Sequence, residues 1–352
     1  MSKPRLIAFY LPQFYPTPEN DEWWGKGFTE WTNVGRAKPL FKGHCQPRVP
    51  ADLGYYDLRV PEVREEQAEF AKEAGIEGFC YWHYWFAGRR LLERVFSEVV
   101  ESGKPEFPFC LCWANHSWYQ KTWDPTKPDK LLIEQTYPGE EDYVAHFNTL
   151  LPAFKDKRYM KVNGRLIFGI FDADRIPSFD LMKTVWTDLA KKNGLEGFFF
   201  YGLCQGLGRS ESVLRKGYDA IVFDNLATLF HDRKFSLYER AKFRILKSPH
   251  FIQYKDYAEE TIRFFSNNRQ FVPCLVPNFD HSPRSQYRGV ILHGNTPDQW
   301  ERLCREIVKY THPSNNLLFI KSWNEWGEGN YLEPDMVFGK QYIEATRRAI
   351  NV

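Results

Sequence analysis

The stretch Gly78-Phe79-Cys80-Tyr81-Trp82-His83-Tyr84-Trp85 decides the architecture. It is apolar on both faces, as expected of a strand buried inside a parallel sheet rather than one with a wet side. Similar short runs recur at Arg5–Leu11, Pro108–Ala114, Leu166–Phe171, Gly197–Leu203, Ala220–Phe223, Phe271–Val276 and Leu317–Trp323. Amphipathic stretches separate them: Val60–Ala74, Leu91–Glu101, Glu141–Leu151, Phe179–Lys192, Ser210–Lys216, Lys255–Asn267, Pro297–Tyr310 and Lys340–Ile350. Pro61 stands at a first-turn position, while Gly75 and Asn193-Gly194 are helix stops. Pro152 is expected to end the helix before it. This alternation predicts a (β/α)₈ TIM barrel, with residues 1–352 as one catalytic domain. A doubly wound sheet is the alternative, but no G-x-G-x-x-G follows the first strand, which argues against a dinucleotide-binding version.

The loops carry the next signal. From Pro12 to Arg59 the chain is rich in Trp, Pro and Gly and is read as a long loop over the C-terminal mouth of the barrel. A second aromatic loop follows strand three, from Asn115 to Gly139, with Trp118, Tyr119 and Trp123. Of 352 residues 17% are aromatic, which excludes disorder. A formal net charge of +2 carries no footprint for nucleic acid or for an anionic membrane. No secretory leader and no run of roughly 18 apolar residues is seen, so a cytoplasmic protein without a membrane span is expected. The seven scattered cysteines read as small core residues in a reducing compartment.

Past strand eight comes the densest polar-aromatic cluster, Ser322-Trp323-Asn324-Glu325-Trp326-Gly327-Glu328-Gly329. Gly327 and Gly329 allow the chain to turn Glu328 toward Glu325. Two adjacent carboxyls split their pKa values, leaving one acid and one base, and flanking Trp rings strengthen the split. Paired carboxylates among aromatics suit glycosidic bond chemistry. Other strand ends supply candidate sugar-binding groups: Tyr10 and Gln13, His83 and Tyr84, and Trp113 and Asn115. The loops add Glu30, Trp31 and Trp118, and the cluster itself adds Asn324 and Trp326. Glu333, before Pro334, is the more structural of the nearby acids.

These motifs resemble the WbsX family. The resemblance rests on Ala8-Phe-Tyr-Leu-Pro-Gln-Phe14, Trp23-Trp-Gly-Lys-Gly-Phe-Thr-Glu-Trp-Thr-Asn-Val34, Gly75-Ile-Glu-Gly-Phe-Cys-Tyr-Trp-His-Tyr-Trp-Phe86, Phe109-Cys-Leu-Cys-Trp-Ala-Asn115 and Ser322–Gly329. That family occurs in bacterial polysaccharide and lipopolysaccharide gene clusters, is labelled glycosyltransferase and is similar to family 99 glycoside hydrolases, the endo-α-mannosidases. The resemblance implies a barrel without cofactor or metal acting on an oligo- or polysaccharide, with an α-mannosidic bond as the lead. It implies that Glu328 is the general acid/base at the glycosidic oxygen. Glu325 then deprotonates the sugar 2-hydroxyl, giving a 1,2-anhydro intermediate with overall retention. Family members often carry Glu where this chain reads His116-Ser117-Trp118, so sugar preference is expected to differ there. One rival reading is a nucleotide-sugar glycosyltransferase using a metal at Asp172-Ala-Asp174. Another is a non-catalytic carbohydrate-binding barrel.

Overall fold

A computed structural model describes residues 3–121, 128–232 and 236–351; Trp123 lies outside the described residues. Eight parallel strands close into a barrel: β1 (Arg5–Tyr10), β2 (Gly78–Phe86), β3 (Phe109–Trp113), β4 (Arg165–Ile170), β5 (Phe198–Cys204), β6 (Ala220–Asp224), β7 (Val272–Leu275) and β8 (Leu317–Ile320). Each pairs with its neighbours in chain order, and β1 pairs with both β2 and β8, which shuts the ring. All eight lie where the apolar runs predict them. A doubly wound sheet is excluded, because such a sheet has free edges.

Alternation along the strands sorts side chains between the barrel lumen and the helix layer. Phe9 stacks on Trp82 at 4.5 Å and meets Phe319, which in turn touches Tyr201; these fill the lumen. Gly169 makes room for Tyr201, since a Cβ there would lie 2.3 Å from its hydroxyl. Phe168, Phe198 and Phe200 pack outward around Trp186. Phe223 likewise packs outward, against Phe264. Within the run at 198–200 only Phe199 shares the face of Tyr201.

Helices cover the outside. After two short helices in the first loop, α1 (Pro18–Trp24) and α2 (Glu30–Arg36), follow α3 (Pro61–Ala74), α4 (Glu93–Ser102), α5 (Glu140–Phe154), α6 (Phe179–Lys192), α7 (Leu207–Arg215), α8 (Asn225–Asp232) and α9 (Leu237–Leu246). The set ends with α10 (Tyr254–Asn267), the single turn α11 (Ser282–Ser285), α12 (Pro297–Ile307) and α13 (Gln341–Ile350). α5 runs through Pro152 instead of stopping there. The ring removes one backbone donor, but Phe147 and Phe154 on either side of it are buried against Trp186, and that packing keeps the last turn helical.

The first loop is more regular than its composition suggests. Thr17 caps α1, accepting from the Asn20 amide at 3.2 Å, and Thr29 and Thr32 form a reciprocal cap on α2. The loop after β3 contains a small hairpin, Trp118–Gln120 with Lys130–Ile133. All seven cysteines are free, and all but Cys45 are buried. Among the described residues no helix is long and apolar enough to cross a membrane.

Candidate active site

A cleft of about 690 Å³ opens at the C-terminal ends of the strands, within the range of ligand sites. Glu325 and Glu328 lie in it, with Lys321 at the end of β8 and Arg284 on α11. Trp24, Phe28, Trp82, Tyr84, Trp118 and Phe171 give it apolar walls, and Gln13, Glu30, Asn33, His116 and His281 supply polar groups.

The two glutamates differ in surroundings. Glu325 accepts from the Trp82 indole N–H at 2.8 Å and from the Ser322 hydroxyl at 2.9 Å. Burial, reinforced by the nearby charge of Glu328, raises its carboxyl to about 7. For Glu328 burial alone would act the same way, but Arg284, Lys321 and His281 outweigh it and hold the carboxyl at about 2. The Arg284 guanidinium bonds Glu328 directly and reaches Glu30 Oε2 through Nη2 at 3.0 Å. These surroundings favour the proton on Glu325 and the charge on Glu328.

The glycines earn their places by close approach. A Cβ on Gly327 would lie 1.8 Å from Glu30 Oε2 and 3.1 Å from Arg284 Nε, so only glycine lets the Glu30–Arg284 pair sit against the turn. Gly329 ends the turn at Trp326–Glu328 in the left-handed region, φ +53°, with Asp280 packed on it. Asp280 also ties the first loop down, bonding His44 Nε2 at 2.7 Å and Gln46 Nε2 at 2.6 Å.

Of the residues expected to bind sugar, Gln13, Glu30, Tyr84 and Trp118 line the cleft with Glu325 and Glu328. The others do not. His83 and Trp113 are paired across β2 and β3 and both face the helices: His83 bonds His146 at 2.7 Å, and Trp113 donates to the Trp85 carbonyl at 3.1 Å. Tyr10 also points outward, its hydroxyl on Gln67 at 2.7 Å. Each sits one residue out of phase with an inward neighbour, and a shift of one reverses the face. Asn115 is fully buried and latches the β3 and β4 loops together, bonding Asp172 through both its amide atoms. Asn324 does the same between β8 and β1, exchanging two bonds with the Leu11 backbone. Trp31 donates to the Tyr56 carbonyl at 2.7 Å and packs on Trp326. Trp326 stacks on Tyr331 at 3.7 Å. Glu333 gathers three donors, Tyr56, Gln67 and Trp326, in the layer behind the cleft.

Sequence patterning does not single out Arg284 or Lys321. A lone Arg in Ser282-Pro-Arg-Ser285 carries no signal, whereas Lys321 directly precedes the Glu-rich cluster, and a cation beside two acids is a signal of a kind. Asp172 and Asp174 are occupied: Arg209 bridges both, and Arg175 holds Asp172. Among the described residues no three His, Cys, Asp or Glu side chains are grouped as a metal would need.

A family model described as Glycosyltransferase WbsX matches residues 6–346. The uncharacterized protein WxcX from two strains of Xanthomonas campestris pv. campestris is 36% identical over 98% of this chain. The chain spans about half the length of these curated relatives, 49% in each case. Among solved structures, a glycoside hydrolase-like protein superposes with a TM-score of 0.64 at 13% identity, covering 100% of this chain and 95% of the other. The GH99 endo-alpha-mannosidase of Bacteroides thetaiotaomicron gives a TM-score of 0.55 at 12% identity, with 99% and 96% covered. In complex with BIS-TRIS-Propane it gives 0.53 at 13% identity with the same coverage.

Proposed function

The chain belongs to the Glycosyltransferase WbsX family, and from that membership and the cleft we propose a retaining carbohydrate-active enzyme that cleaves or transfers a glycosidic bond with Glu325 and Glu328. The observation that carries this reading is the glutamate pair itself, Glu325 held by Trp82 and Ser322 and Glu328 by Arg284, in a cleft walled by Trp24, Trp82 and Trp118. Retention is carried over from the resemblance to the family 99 glycoside hydrolases. Aromatic faces stack on sugar C–H surfaces, and Gln13, Glu30, Asn33 and His116 offer bonds to hydroxyls. Among the described residues His116 Nδ1 has no hydrogen-bond partner. Bacterial surface polysaccharides are the proposed substrate class, with α-mannosidic linkages first, the bond type in the name of the Bacteroides structures.

Glu328 is assigned as acid/base at the glycosidic oxygen and Glu325 as base at the 2-hydroxyl. These roles need the proton on Glu328, the reverse of what the protein surroundings favour, so the pair's proton crosses as the sugar displaces Arg284 from Glu328. Leaving-group dependence tests the assignment. Glu328→Gln is expected to lose at least about 100-fold on an alkyl-linked oligosaccharide and to recover with a glycosyl fluoride, which needs no acid. Glu325→Gln is expected to stay slow on both. The opposite pattern reverses the roles, and near-normal rates in both variants sink the proposal.

Transfer from a nucleotide-sugar is the second reading, favoured by the family's description. A metal at Asp172 and Asp174 would first have to displace Arg175 and Arg209. Metal-dependent binding of a nucleoside diphosphate to the purified chain would support it; cleavage of an oligosaccharide without any nucleotide would exclude it.

A further inference from the structure

Helix α9 is built unlike the others. None of its residues is buried. Leu237 is 85% exposed, Ile245 76%, and Tyr238 and Leu246 67% each. Leu237, Tyr238, Ala241 and Ile245 fall on one arc of the helix. Arg240 and Arg244 border that arc on one side and Lys242 on the other. With Lys247 at the C-cap, four cations accompany a single acid, Glu239. The chain-wide charge of +2 averages this local excess away.

What fastens the helix lies on its opposite side. Phe243 turns inward, stacking on His250 at 4.7 Å and meeting Tyr287 at 5.4 Å, and Lys247 lies 5.2 Å above the Tyr287 ring. Tyr287 lies two residues past the end of α11, which carries Arg284. The helix is thus fastened to the segment that carries Arg284, and its exposed stripe points away from that contact. An apolar stripe flanked by cations is complementary to one kind of surface, an interface of acyl chains beneath anionic headgroups. It suits a second copy of this chain poorly, because two such helices would bring like charges together.

We propose that α9 docks the protein on an anionic lipid membrane. The stripe Leu237–Tyr238–Ala241–Ile245 enters the interface, and Arg240, Lys242 and Arg244 meet headgroup phosphates. This docking does not depend on the carbohydrate chemistry, and it is tested without a saccharide.

The test is co-sedimentation of the full chain with phosphatidylethanolamine–phosphatidylglycerol vesicles and with phosphatidylcholine vesicles. Binding to the first and not the second is expected, weakening as salt is raised. Arg240→Glu with Arg244→Glu is expected to lower binding at least about tenfold, from roughly fivefold per cation removed. Leu237→Ser with Ile245→Ser is expected to lower it by a similar factor. All four side chains are exposed, so unchanged thermal melting confirms that the variants fold. Failure to bind anionic vesicles, equal binding to both vesicle types, or variants that bind like wild type would overturn the proposal. So would a dimer in solution that the Leu237→Ser, Ile245→Ser variant abolishes, which would assign the stripe to a second copy.

Discussion

A buried carboxylate beside a second one must share a proton or meet a cation. Glu325 takes the first course and Glu328 the second, and Arg284 is the residue that separates them. A pH profile reads this directly. kcat/KM reports the free enzyme, and the proposed chemistry needs one proton on the pair. Activity is therefore expected to hold on the acid side and to fall as pH rises past about 7, where Glu325 loses that proton. Arg284→Gln removes the cation that holds Glu328 ionised, so the pair grips its proton more tightly. The alkaline limb should move up by roughly 1–3 pH units. A limb that stays in place would show that Arg284 does not set the protonation of the pair.

Elements, more than single side chains, hold the pair still. Glu333 joins the first loop through Tyr56, α3 through Gln67 and the Trp326–Glu328 turn through Trp326. Glu333→Ala leaves three buried donors without an acceptor, expected to cost on the order of 3 kcal/mol in urea unfolding and to lower turnover as Trp326 loosens. Gly327→Ala acts more locally: its Cβ would drive Glu30 off Arg284. It should cost at least about tenfold in kcat with little change in unfolding, whereas unchanged kcat would mean that the ion pair is idle. The strands are legible in the sequence because a short run apolar on both faces fits little besides a strand buried in a parallel sheet. The facing of Tyr10, His83 and Trp113 is not, because neighbours in a strand are equally apolar here and only three-dimensional register tells lumen from helix layer. α1, α2, α8 and α9 escape the pattern for related reasons. The Trp-rich first loop reads as a loop over the mouth, and α9 turns its apolar side away from the core.

The whole molecule divides its aromatic excess between two tasks. Trp24, Trp82 and Trp118 line the cleft, but Trp31, Trp85, Trp113, Trp323 and Trp326 are packed beneath or behind it. The mouth owes its shape to a dense aromatic foundation more than to an aromatic surface. Close packing of that kind also shields the cysteines that share it. Cys80, Cys110 and Cys112 lie on adjoining strands with Tyr201 against Cys80, all buried, and Cys204, Cys274 and Cys304 are buried as well. A disulfide reagent reaches a thiol only as the thiolate and only where it fits. In the native protein one thiol, Cys45, should react promptly, and all seven should react in guanidinium. Native reaction of several thiols within minutes would mean that the barrel opens far more often than such packing permits.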